Sequence, residues 1–330
     1  MDFAVHHVTY VCILLMLTGG LSLIHGRTGL LSIGHAGFWA VGAYTAGFVI
    51  NRLAPDLLAA DATAGSRLLS VAAFAAAVVC AMLAASLCGL LVGVPCLRLR
   101  GDYLAIATLG FSEIIRVVIV NAESLGGAAG MRVPAVVCVG DTRRFVFAGI
   151  AAAGAAFSLL MVRNLLSSTH GRALISIRED EVASQLLGVN VTRYKVVSFV
   201  FGAALAGLAG AVYAAYMGYL APREFGFMKS VELLLMVVLG GIGSLTGTVL
   251  ATVALYIIPE ALRFAEWSVP VWSLTDAGWR RGSVELAELW MVVYAIILIV
   301  MMLLRPQGLL GSWEISRLWK KPNQRPDATG

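Results

Sequence analysis

Ionisable residues inside apolar runs are the ones placed to do chemistry, because each costs about 2.5–3.5 kcal/mol to insert into lipid. Glu113 and Arg116 stand three apart in the run 103–121, the helical spacing of an ion pair. His35 sits in Gly34-His35-Ala36-Gly37, and Glu232 opens the run 231–243. Taken together, Glu113, Glu232 and His35 would suit a proton or sodium route. Taken singly, Glu113 reads as half of a structural pair and His35 as a satisfied packing histidine. Glu232 reads as an anion favoured at a helix N-terminus, and Asp102 as a cap for the helix 103–121.

Other chemistries lack their residues. Serine and histidine occur within apolar runs without an orienting carboxylate at a recognisable spacing, so no catalytic residue is predicted. The chain has no G-x-x-x-x-G-K-[ST] cradle for nucleotide phosphates. The stretch from Gly240 to Gly247 reads G-G-x-G-x-x-x-G, which fails the dinucleotide spacing. Cys12, Cys80, Cys88, Cys96 and Cys138 form no C-x-x-C pair and have no histidine at ligand spacing, so no metal or cofactor site is predicted.

The elements that must position these residues are membrane helices. Of 330 residues, 59% are hydrophobic and 13% charged, against about a quarter charged in soluble domains. Mean hydropathy is +0.87. Apolar segments run over 8–24, 30–50, 68–94, 103–121, 144–162, 196–217, 231–243, 246–260 and 290–304. In lipid each must satisfy its own backbone, so the fold class is an all-α polytopic membrane protein of about eight to ten helices. The first run lacks a basic leader and a cleavage pattern, and reads as a retained helix. Residues 1–311 make one transmembrane domain, and 312–330 a polar tail.

Lys and Arg orient the spans. The 163–195 segment carries Arg163, Arg172, Arg178, Arg193 and Lys195, and the tail is basic too, so both go to the cytoplasm. That parity requires 231–260 to break at Gly240-Gly241-Ile242-Gly243-Ser244 into two short helices near the inner side. The N-terminus and the loops 51–67, 122–143 and 259–289 then fall outside. In the last of these, an amphipathic piece with Trp267, Trp272 and Trp279 would suit the interface. Arg143 and Arg144, at an outer end, go against the rule. The net charge of +5 sits at helix ends and in the tail, so it reports topology and not nucleic acid.

The segment RNLLSSTHGRALISIREDEVASQLLGVNVTRYK, 163–195, is the polar island in this chain. Leu174 and Ile177 fit one apolar face; Val182, Ala183, Leu186 and Leu187 fit another. Asp180 caps the second short helix and Gly188 ends it. Arg178, Glu179, Asp180 and Glu181 would then stand available at the junction. Two amphipathic helices held between rigid spans suit transmission of force from a soluble partner. Elsewhere Gly202, Ala206 and Gly210 recur every four residues, with Ala203 and Gly207 beside them, a close-packing stripe within the chain or between subunits. The small side chains of Ser32 to Gly47 leave room for a path. The candidate path residues are Ser32, Gly34, His35, Gly37, Thr108, Glu113, Gly240, Gly241 and Gly243.

The series GRALISIREDEVASQLLGVNVTRYK followed by SFVFGAALAGLAGAVYA resembles the cytoplasmic loop and next helix of LivM-type permeases of branched-chain amino acid ABC importers. So do LSIGHAGFWAVGAYTAG, LRLRGDYLAIATLGFSEIIRVV, VELLLMVVLGGIGSLTGTVLA and LRPQGLLG, in the same order. Glu181, Ala183 and Gly188 match the degenerate E-A-A…G pattern, with Ser184 where a second alanine is common. The loop at 124–130 also departs from the family's usual turn. The resemblance implies that Arg172, Arg178, Glu179, Asp180, Glu181, Ala183 and Gly188 couple the permease to an ATPase. It implies a homologous second permease subunit, two ATP-binding-cassette ATPases holding ATP and Mg, a periplasmic substrate-binding protein, and a bacterial inner membrane. Urea, amides or other small solutes are alternative cargo. A stand-alone ion-coupled secondary transporter and a membrane scaffold are the rival classes.

Overall fold

The computed structural model describes residues 2–53, 64–96, 99, 101–134, 136–137, 142–241, 243–264, 268–275, 278–285, 296 and 299. Helix α1 (Asp2–Leu21) continues as a π turn (Ser22–Arg27), and an extended stretch leads to α2 (His35–Leu53). Helices α3 (Ala64–Cys96), α4 (Asp102–Asn121) and α5 (Thr142–Ser167) follow. The polar island folds as α6 (Thr169–Glu179) and α7 (Glu181–Leu186), before α8 (Val191–Met217). Then come α9 (Phe227–Gly240) and α10 (Leu245–Phe264). Five helices among the described residues are long and apolar enough to cross a membrane: α1 with its π turn, α3, α4, α5 and α8.

Helix α8 is the hub, packed against α1, α2 and α3. Its small-residue stripe explains how. A side chain at Gly207 would strike the Ala81 backbone, one at Gly202 would strike Ile24, and one at Gly210 would strike the backbone of Trp39 and Ala43. Gly42 of α2 and Gly207 of α8 meet backbone to backbone. Because lipid supplies no hydrophobic drive between helices, such close approach is what holds them. The stripe therefore serves packing inside the chain. The outer helices present large apolar side chains outward, among them Leu83, Leu91 and Ile106, as a lipid-facing surface should.

The helix break falls where parity required it. Helix α9 ends at Gly240, with Gly241 at φ 110° and Gly243 at φ 94°, values that side-chain-bearing residues avoid. Ser244 Oγ accepts from Gly247 N at 3.1 Å and so caps the start of α10. Gly240 and Gly247 touch across the turn, which lets the two helices cross tightly.

Loops sort into two ends. At one, strand β1 (Met131–Arg132) pairs with β2 (Tyr219–Leu220), and Asn51 Nδ2 donates to the Arg132 carbonyl at 2.9 Å. His6 bonds Tyr216 and His7 bonds Tyr256, so the N-terminal turn of α1 lies at this end as well. Arg143, which defied the charge rule, donates through Nη2 to the carbonyls of Ala215 and Tyr216, at 2.8 and 3.1 Å. It satisfies carbonyls left bare at the end of α8, a cation at a helix C-terminus.

The 259–289 loop contains an antiparallel hairpin, β3 (Ser268–Thr275) with β4 (Gly278–Glu285), in the register Val269↔Val284 and Trp272↔Arg281. An amphipathic interfacial piece was expected there. Trp272 and Trp279 of that piece fall in these two strands, where Val269 and Val271 alternate with period two. Trp267, Cys138, the run 290–304, the LRPQGLLG motif and the tail 312–330 lie outside the described residues, apart from helical positions 296 and 299.

Candidate functional site

At the opposite end, the island meets the bundle. Ser168 caps α6 by accepting from Gly171 N at 3.4 Å. Asp180 Oδ1 accepts from both Val182 N and Ala183 N at 2.9 Å, capping α7. Gly188 closes the turn at φ 83°, and Asn190 caps α8 through Arg193 N at 3.0 Å. Three polar caps at short spacing thus cut the island into helices. Leu174 and Ile177 of α6 are buried, which contributes roughly 1.5–3 kcal/mol each.

Helix α7 turns its apolar residues the other way. Leu186 is 84% exposed, Leu187 83% and Val182 60%. Ala183, Gln185 and Gly188 are exposed beside them, while Ser184 is buried. The second apolar face predicted for the island is therefore not spent on this chain.

The junction charges have partners inside the chain, yet Arg178, Glu179 and Asp180 stay exposed and Glu181 partly so. Arg178 Nη1 donates to the Gly26 carbonyl at 2.8 Å, at the end of the π turn. Its stem crosses Gly29, and Gly243 packs against its guanidinium, where an added side chain would collide. Glu181 Oε2 accepts from Lys195 Nζ at 2.7 Å, and Lys195 is buried. Asp180 is used as a cap. Arg172 and Glu179 remain exposed on α6. One arginine thus joins the island, the α1 π turn and the α9–α10 break. Lys195 and Gly26 were missed by sequence reasoning. Their partners lie 14 and 152 residues away, and no local spacing announces such pairs.

The candidate path residues divide. Ser32, Gly34, His35, Gly37 and Thr108 come together around the start of α2. Ile33 N donates to Thr108 Oγ1 at 3.1 Å, and Ala36 N to Ser230 Oγ of α9 at 3.2 Å. These side-chain acceptors serve backbone amides that the extended entry to α2 leaves bare. Gly34 is in backbone contact with Thr108, and Gly37 with Ser112. In this packing α4 fills the room that Gly34 and Gly37 leave.

His35 is fully buried. Among the described residues its ring nitrogens lack hydrogen-bond geometry to any neighbour, although the Leu17 backbone lies alongside. Glu113 does not join this group: it pairs with Arg116 Nε at 2.7 Å and is half-exposed on α4. Gly240, Gly241 and Gly243 belong to the α9–α10 turn. Two further expectations need correction. Glu232 lies inside α9, bonded to Lys229 Nζ at 2.9 Å, and does not begin the helix. Asp102 is the first residue of α4, and the capping position is Gly101, without a side-chain bond.

A bundle of membrane-length helices with a broken pair and a short polar helix pair at one end defines a permease-like subunit of the helical class. Comparison with known sequences then places it. The family of branched-chain amino acid transport system permease components matches residues 3–302, and the chain belongs to that family. It is 34% identical over 330 residues to the high-affinity branched-chain amino acid transport system permease protein LivM of Salmonella typhimurium. That match covers 92% of this chain and 68% of the relative. LivM of Escherichia coli is 33% identical with the same coverage. LivH of Escherichia coli, a second permease protein of the same system type, is 33% identical over 151 residues, 46% of this chain and 42% of the relative.

Proposed function

We propose that this chain is one of two homologous permease subunits of an ATP-driven importer in the bacterial inner membrane, carrying leucine, isoleucine or valine inward. Family membership and the names of its relatives support the cargo and the second, LivH-like subunit. The observation that carries the mechanism is the exposed apolar face of α7, set on a helix pair that Arg178 ties to Gly26 and to the α9–α10 turn. An exposed face of this kind marks a docking surface. A cytoplasmic ATPase gripping Val182, Leu186 and Leu187 would move α6–α7, and Arg178 would pass that motion to the glycine joint. Nucleotide binding then biases two packings of the bundle.

In this reading Arg172, Arg178, Glu179, Asp180, Glu181, Ala183 and Gly188 form the coupling element of a single permease domain. ATP and Mg belong to two ATPase subunits. A periplasmic binding protein meets the end that carries β1–β2. The N-terminus faces out and the tail faces the cytoplasm. The cluster of Ser32, Gly34, His35, Gly37 and Thr108, with the turn at Gly240, Gly241 and Gly243, borders the route that opens when the packing switches.

The test is reconstitution with the sister permease, both ATPases and the binding protein. Labelled leucine should enter proteoliposomes only with ATP, with isoleucine and valine competing and urea or amides not. Uptake by this chain alone, driven by a proton or sodium gradient through His35, Glu113 and Glu232, would overturn the reading.

A further inference from the structure

Beside the island lies a cavity of about 230 Å³, walled by α6–α7, the stretch after the π turn and the start of α4. Its lining combines polar side chains, Arg178, Glu181, Lys195 and Thr28, with apolar ones, Leu30, Leu31, Leu99, Leu104 and Ile177. Lys195 is buried, and among the described residues one of its three ammonium donors goes to Glu181 and one of Arg178's five to Gly26. Gly101, which precedes α4 without a side-chain cap bond, also lines the space.

We infer that this cavity is a binding site for a small apolar α-amino acid, entered from the face on which α6–α7 stands. The ligand's carboxylate would take further donors of Lys195 and Arg178. Its ammonium would take Glu181, sharing that carboxylate with Lys195. Its side chain would lie against the leucines. Each half of a zwitterion thus meets its opposite charge, and neither is buried unpaired. The volume, just below the roughly 300 Å³ at which drug-sized pockets begin, suits a ligand of amino-acid size.

Occupancy would pin α6–α7 to α4 and to the π turn, the parts that the coupling reading requires to move. The inference rests on that reading for its consequence: the imported solute, accumulating inside, slows its own entry. A ligand that prefers one packing shifts the balance toward it.

Two measurements test this on the assembled importer, calorimetry without its binding protein and transport with it. In calorimetry L-leucine should bind, N-acetyl-leucine and isopentylamine should not, and Leu99→Trp or Lys195→Gln should weaken binding about tenfold. In proteoliposomes, leucine on the ATPase side should slow uptake about fivefold in the wild type, and the ratio should return towards one in Leu99→Trp. No calorimetric binding, or binding equal in both variants, overturns the site. So does a cavity that responds to phosphatidylglycerol content and not to leucine. Calorimetric binding without ATP-driven uptake of any branched-chain amino acid would instead sink the transport reading and leave the site standing.

Discussion

The Arg178 guanidinium and the Gly26 carbonyl, 152 positions apart in the chain, are joined at 2.8 Å. The bond fastens the polar island to the π turn that ends α1. A π turn leaves carbonyls poorly served by its own helix, and a charged donor is the stronger way to serve one. Gly243 closes against the same guanidinium, so the α9–α10 joint shares the fastening.

Replacing Arg178 with alanine should uncouple the machine. Hydrogen bonds to charged groups contribute about 1.5–3 kcal/mol, enough to lower transport by about tenfold or more if the bond carries motion. ATP hydrolysis should continue, and Arg178→Lys should recover part of the loss. The ratio of solute moved to ATP hydrolysed, measured in proteoliposomes, decides it.

The exposed face of α7 gives a different outcome. Leu186→Asp with Leu187→Asp disturbs little among the described residues, since both positions are more than four-fifths exposed. Membrane insertion and melting temperature should hold, while co-purification of the ATPases should fail. A central apolar anchor is typically worth about 2 kcal/mol or more at an interface.

Lys195 and Glu181 should respond unequally. Glu181→Gln leaves a buried ammonium without its counter-charge, whereas Lys195→Met leaves a carboxylate that is 32% exposed and can reach water. We expect Glu181→Gln to lower thermal stability more than Lys195→Met. The double variant should fall nearer the second, because breaking a pair costs more than removing it. Melting of the purified chain in detergent checks the order.

Packing at the hub gives a matched pair. Gly207→Val must push into Ala81 and Ala85, and overfilling of this kind costs about 1–3 kcal/mol. Gly110→Ala meets nothing within 4 Å and should be neutral or slightly stabilising, since alanine suits a helix better. Equal melting temperatures for the two would mean that α8 is not the hub.

Taken alone, the chain determined its helical class, the break at Gly240 to Ser244, the Asp180 cap and the Glu113–Arg116 pair. All of these are local: apolar runs, glycine at a joint, a short oxygen acceptor before a helix, charges three apart on one face. The five motifs that resemble the LivM-type pattern ordered those pieces.

Tertiary structure decided the rest. Which glycines touch which backbones, as Gly42 does Gly207, depends on how helices cross. That Arg143 serves α8, that Glu181 is held by Lys195, and that Arg178 reaches Gly26 depends on elements far apart in sequence. Composition records which groups must be satisfied, whereas only the assembled fold chooses their partners, because lone polar groups in a dry interior accept whichever matching group the packing brings within reach.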